Sequence, residues 1–129
     1  MSDRLIVVLG SGPGIGSQTA AHFAAQGFNR VALLSRNKQR LPEDAATIKK
    51  ASSSARVETY AVDLAEIDEL KKTLKQVETD LGKPEVVLFN AARVGPSKIG
   101  EESAESVLQD FKVCFTAHTT KAVPTNYAT

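Results

Sequence analysis

With 129 residues, the chain has room for one domain with a real core and too little for two ordinary ones. Apolar residues make up 42% and are spread along the chain, which excludes global disorder, and a formal charge of +1 with interleaved acids and bases offers no basic field to nucleic acid or to a membrane surface. Low aromatic content without Trp removes a base-stacking surface, and a single cysteine, Cys114, excludes an internal disulfide and an all-cysteine metal site.

The chain enters almost at once a short apolar run, "RLIVVLG". It is far too short to span a bilayer and lacks the longer apolar region and cleavage site of a signal peptide. A reducing, cytoplasmic setting is the expectation. The first predicted strand is Leu5–Leu9, followed by four glycines in seven positions, Gly10, Gly12, Gly14 and Gly16. A helix is predicted after them, with Ile15, Thr19 or Ala20, and Phe23 on its buried face and Gly27 as its end.

The second predicted strand is Val31–Leu34. A less regular helix follows from about Lys38 to Ala51, with Leu41, Ala45 and Ile48 inward. The polar loop "ASSSA" at 51–55 precedes a third strand, Arg56–Val62. In "EIDELKKTLKQVETDLG", Ile67, Leu70, Leu74, Val77 and Leu81 recur at steps of three or four, which puts them on one stripe with Asp68 and Lys72 on the wet side. Gly82 and Pro84 supply the stop. The fourth strand is Val86–Phe89. A last helix is predicted near Ser103, where "SAES" reads as a capping box with Ser106 one place beyond the acid Glu105, and Val107, Phe111 and Phe115 continue an apolar face. From Thr116 onward the chain is Thr-rich and poorly periodic. Residues 1–123 are read as one domain and 124–129 as a frayed tail.

Strand and helix alternate four times, which predicts an α/β fold with a parallel sheet and right-handed crossovers. The strands are short and mostly lack in/out alternation, as expected for strands covered on both faces. A strand ending in glycines and opening into a helix makes an anion site, because first-turn N–H groups and the positive end of the helix dipole face the ligand. Gly10 would permit the tight turn, Gly14 the approach of a pyrophosphate, and Gly16 close packing of the helix. A flexible strand-to-helix turn is the competing reading.

The spacing of Gly10, Gly14 and Gly16, G-x-x-x-G-x-G, departs from the common dinucleotide fingerprint and resembles the short-chain dehydrogenase/reductase family. "LLSRN" (33–37) is similar to the second-strand end of NADP-preferring members, and "VDL" (62–64) to the Asp-plus-apolar step that holds adenine. "LFNAARVG" (88–95) is similar to the N-N-A-G turn after the fourth strand, with Ala91 for the second Asn and Arg93 for the Gly. The resemblance runs from about residue 4 to 123. It implies a Rossmann-like sheet in the order 3-2-1-4, incomplete relative to the family. It also implies a dinucleotide site built from Gly10, Ser11, Gly12, Gly14, Ile15 and Gly16, from Ser35 and Arg36, from Asp63 and Leu64, and from Asn90, Ala91 and Ala92.

The cofactor follows from charge. An acid about 20 residues after the glycines would bind a ribose 2′-hydroxyl and repel a 2′-phosphate. Here Ser35 and Arg36 stand there, and a hydroxyl with a forked guanidinium suits a phosphate dianion. NADP(H) is therefore expected over NAD(H), with a solvated surface role for Arg36 as the alternative. Asp63 is compatible with a second role as the N-cap of the next helix. Asn90 is compatible with tying the strand end to its loop.

No catalytic residue is carried over. The family's Tyr-x-x-x-Lys pair has no match, since Tyr60 lies in a predicted strand and Tyr127 two residues from the end. Cys114 stands where the resembled helix would carry Asn, and the chain stops before the strand that would lead to the catalytic Ser. Cys114 and His118 share a helical face by spacing, but read better as a buried thiol and a surface imidazole. His22 reads as a helix residue, Lys121 as a solvated Lys, and no metal site is expected.

Three readings stay open. The chain holds NADP(H) without catalysing alone, or it is an oxidoreductase completed by a missing C-terminal part or a partner chain, or it is a non-catalytic interaction module. In each case the fourth strand is expected to be an edge, open to self-association or to a partner.

Overall fold

The computed structural model describes residues 3–91, 98 and 100–113. Four strands, β1 (Leu5–Leu9), β2 (Arg30–Ser35), β3 (Arg56–Ala61) and β4 (Val86–Phe89), pair in parallel in the order β3-β2-β1-β4. The helices are α1 (Ile15–Ala25), α2 (Leu41–Ala51), α3 (Ile67–Leu81) and α4 (Ala104–Phe111). Register runs Leu5↔Arg30 to Leu9↔Leu34, Ile6↔Val86 to Leu9↔Phe89, and Arg30↔Arg56 to Ser35↔Ala61. The fold class, strand order and element order are those expected.

The two central strands send alternate residues into two cores. Leu5, Val7, Leu9, Ala32 and Leu34 pack with Leu70, Leu74, Val77 and Leu81 of α3. Ile6, Val8, Val31 and Leu33 pack on the opposite face with Ala20, Ala21 and Ala24 of α1 and with Leu41 and Ile48 of α2. Helices on both faces explain why β1 and β2 read as unbroken apolar runs. The expected cover does not extend to the margins. β3 exposes Arg56, Thr59 and Ala61, and all four residues of β4 are half-buried, because each strand has only one hydrogen-bonded neighbour among the described residues.

Three packing expectations are corrected. The buried face of α1 is Gly16, Ser17, Ala20, Ala21 and Ala24, whereas Ile15 is 69% exposed. Small residues let this helix lie close against the sheet, and a branched side chain in that stripe would hold it away. Phe23 is half-buried and meets Phe28 edge-on at 5.0 Å. Second, α2 begins at Leu41 instead of Lys38, because Asn37 Oδ1 accepts from the N–H groups of Gln39 (3.1 Å) and Arg40 (3.2 Å) and builds a separate turn there. Third, α4 is capped as expected, with Ser103 Oγ accepting from Ser106 N at 3.1 Å, but its apolar face is not buried. Val107, Leu108 and Phe111 are each more than half exposed.

At the edge, Tyr60 is half-buried against the α3 side of the core and donates to Asp80 Oδ2 at 2.9 Å, while Gln76 Nε2 donates to Asp80 Oδ1 at 2.7 Å. Burial first, then the Asp80 hydrogen bond, raises the Tyr60 pKa above that of a free phenol. The neutral phenol thus stabilises the fold fully below the unfolded-state pKa of about 10, and that contribution is lost as pH rises beyond it. Urea midpoints measured between pH 8 and 11 are expected to fall at the alkaline end and to fall less steeply in Tyr60→Phe. Parallel pH profiles for the two proteins would contradict this role.

Candidate functional site

The strand order reverses between β1 and β4, and a cleft opens at the C-terminal ends of the strands, the place where open α/β sheets bind ligands. It is lined by Gly10 and Ser11 after β1, by Ser35, Arg36 and Asn37 after β2, by Asp63 and Leu64 after β3, and by Asn90 and Ala91 after β4. Val113 closes it from beyond α4.

The glycine loop is hung on β2. The N–H groups of Gly10 and Ser11 both donate to Leu34 O, at 2.8 and 3.1 Å. Gly10 adopts φ +92°, and a Cβ added there would stand 2.5 Å from both the Cα and the N of Ala91. This glycine is required by a left-handed turn and by a backbone crossing at once. At Gly16 a Cβ would lie 3.0 Å from Gly10 O and 3.3 Å from Ser11 Cα, so the helix start packs on the loop itself. Gly12 and Gly14 are different, because an added Cβ would meet nothing within 4 Å.

The start of α1 is uncapped. Gly14 occupies the N-cap position and supplies no side chain, and the first turn carries no acid. Ser17 N and Gln18 N reach back to Gly12 O and Gly14 O, each at 3.2 Å. The N–H groups of Gly12, Gly14, Ile15 and Gly16 meet no acceptor among the described residues. They form a cluster of orphan donors at the positive end of a helix.

The remaining walls are set by strand ends. Ser35 O accepts from Val62 N at 3.0 Å, and Arg36 is exposed and engaged by no hydrogen bond or ion pair among the described residues. Asp63 is half-buried. Its Oδ1 accepts from Ala65 N at 3.0 Å and its carbonyl from Glu66 N at 3.0 Å, so it shapes a turn three residues ahead of the actual α3 N-cap, Glu66. The expected N-cap role is corrected in that sense. Asn90 N donates to Leu9 O at 2.8 Å, which ties the end of β4 to β1 rather than to the loop that follows.

The structure therefore gathers Gly10, Ser11, Ser35, Arg36, Asp63, Leu64, Asn90 and Ala91 around one cleft, with Gly12, Gly14, Ile15 and Gly16 in the adjoining loop and first helical turn. Ala92, Cys114, His118, Lys121, Tyr127 and the 124–129 tail lie outside the described residues. Two lining residues were not anticipated, Asn37 and Val113. Asn37 adjoins the "SR" pair and had a signal in its turn chemistry, whereas Val113 had none, since it arrives through the return of the chain after β4. No group of three or more His, Cys, Asp or Glu side chains suited to a metal occurs among the described residues, and no helix among them is long and apolar enough to cross a membrane.

Comparison with known proteins agrees with this geometry. The profile of the family described as short chain dehydrogenase matches residues 4–125. The chain is 30% identical over 118 residues to human 17-beta-hydroxysteroid dehydrogenase 13, covering 92% of this chain and 38% of that protein's length. It superposes on L-sorbose reductase from Gluconobacter frateurii, solved with NADPH and L-sorbose, with a TM-score of 0.80 and 26% identity over 93% of this chain and 46% of that one. An NAD+-bound xylitol dehydrogenase shares the fold at a TM-score of 0.82 and 24% identity, over 94% of this chain and 46% of that one. The chain thus spans less than half the length of these relatives.

Proposed function

Because the chain belongs to the short chain dehydrogenase family, we propose that its cleft holds the adenosine half of a nicotinamide dinucleotide, NADP(H) in preference to NAD(H), and that the chain does not transfer hydride by itself. The observation that carries this reading is the set of orphan N–H groups at the uncapped start of α1, beside a cleft whose wall contains the exposed cation Arg36. Those donors fit a pyrophosphate, and the open space over Gly12 and Gly14 leaves room for it. Asp63 and Leu64 would supply polar and apolar contacts for an adenine, and Asn90 and Ala91, which line the same cleft, would help hold a ribose. The cofactor brings the hydride, and these residues bind and orient it.

The absence of turnover is supported by Tyr60. Its hydroxyl is committed to Asp80 on α3 and does not line the cleft, so it is not the proton donor such chemistry needs. A second reading, completion by further polypeptide or a partner, is favoured by the half-buried β4 edge and the exposed Val107 and Leu108 of α4.

The test is a titration of the purified chain into NADPH, followed by cofactor fluorescence, with NADH as comparator. Saturable binding about tenfold tighter for NADPH is expected from one charge-assisted phosphate contact. Equal affinities would remove the selectivity. No binding by a chain that still melts cooperatively would overturn the cofactor reading and leave the β4 edge as the place to look for a partner.

A further inference from the structure

We propose that Asp44, on α2, is a positioning residue for the glycine loop, holding it through Ser11 in the shape that binds the nucleotide; this rests on the cofactor reading above. Asp44 was not expected to be inward, since the periodicity of α2 assigned that face to Leu41, Ala45 and Ile48. Yet it is 1% exposed, among the most buried side chains of the protein. A carboxylate is not carried into a core without partners. The partners are Ser11, whose Oγ donates to Asp44 Oδ2 at 2.9 Å, and Arg40, whose Nε lies 3.5 Å from Asp44 Oδ1.

Ser11 is itself 7% exposed and lines the cleft. Its two polar hydrogens are both spent on the protein. The N–H goes to Leu34 O at 3.1 Å and the hydroxyl hydrogen to Asp44. Ser11 therefore has no hydrogen left for a phosphate oxygen, and keeps only lone pairs with which to accept one from a ligand hydroxyl such as that of a ribose. Its first duty is to anchor the loop to β2 on one side and to α2 on the other. The orphan donors begin at the next residue, Gly12, so their direction depends on this anchor.

Asp44 also keeps Arg40 occupied. With Glu43 Oε2 3.1 Å from Arg40 Nη1, that guanidinium is held at the start of α2 by two carboxylates. Arg36, not Arg40, is then the cation left to the cleft.

Asp44→Ala should weaken NADPH and NADH together, each by about tenfold, the scale of one lost hydrogen bond to a charged group. The two share the pyrophosphate, so their ratio should hold. Asp44→Asn keeps an acceptor for Ser11 and should recover most of the affinity. Ser11→Ala should reproduce the loss, and the double variant Ser11→Ala/Asp44→Ala should bind no more weakly than Asp44→Ala. Affinities are read at a temperature where circular dichroism shows each variant folded. Ser11→Ala carries the test if Asp44→Ala does not fold. A lowered melting temperature with unchanged affinities for both nucleotides would make Asp44 a merely structural residue and overturn the proposal, as would additive losses in the double variant. A parent chain that binds neither nucleotide overturns the cofactor reading and this one with it, whereas a parent that binds and an Ser11→Ala or Asp44→Ala variant that binds equally well overturn this one alone.

Discussion

Gly10→Ala is expected to lower the melting temperature by about 10–20 °C and to abolish nucleotide binding in whatever fraction remains folded. Two independent costs meet at this position. Its φ of +92° lies where an L side chain is strained, which costs about 1–2 kcal/mol. The new Cβ would also sit 2.5 Å from the backbone of Ala91, and overpacking of that kind costs about 1–3 kcal/mol. The obstacle cannot rotate aside as a flexible side chain would, because Ala91 directly follows Asn90, whose N–H is bonded to Leu9 O. The loop would have to lift instead, which breaks the bonds of Gly10 and Ser11 to Leu34 and disperses the orphan donors. Gly12→Ala is the control, since its Cβ would enter open space, and its thermal transition should stay close to the parent's. A Gly10→Ala protein that melts and binds like the parent would show that the crossing of the two loops is not required.

Arg36→Ala is expected to cost about 1.4 kcal/mol, or about tenfold, in NADPH affinity and almost nothing in NADH affinity. The residue is exposed and makes no ion pair among the described residues, so its removal leaves no buried partner behind and should not unfold the domain. Neither Ser35 nor Asn37 can replace its charge. The 2′-phosphate would then face a wall whose nearest remaining charge in the cleft lining is the carboxylate of Asp63. Because the contact is exposed, the NADPH preference of the parent should shrink as salt is raised from about 0.05 to 0.5 M. Paired titrations at the two salt concentrations check both statements. An equal loss for both cofactors would assign Arg36 to the shared part of the ligand, and no loss for either would return it to the solvated surface.

These two positions had different standing in the sequence. Arg36 was legible because it is a matter of charge type at a known distance from the glycines. Gly10 was legible as a turn, but its collision with Ala91 was not, since that contact joins residues 81 positions apart. Asp44 was not legible at all. Its place on α2 reads as a polar surface position until Ser11 arrives from another element to accept its burial.

Local chemistry in the sequence determined the element order and with it a parallel sheet, the buried stripe of α3, the Ser103 cap and the glycine loop at a helix start. Each depends on periodicity, turn residues or capping groups within a few positions of one another. Only the tertiary structure decided what depends on distance across the fold. It turned the alanines of α1 inward and left Ile15 outside, because the helix had to approach a sheet. It left β3, β4 and the apolar face of α4 partly uncovered, because burial requires a neighbour that periodicity cannot supply. It also brought Asp44 beneath Ser11 and Ala91 beneath Gly10, joining separate motifs into one cleft.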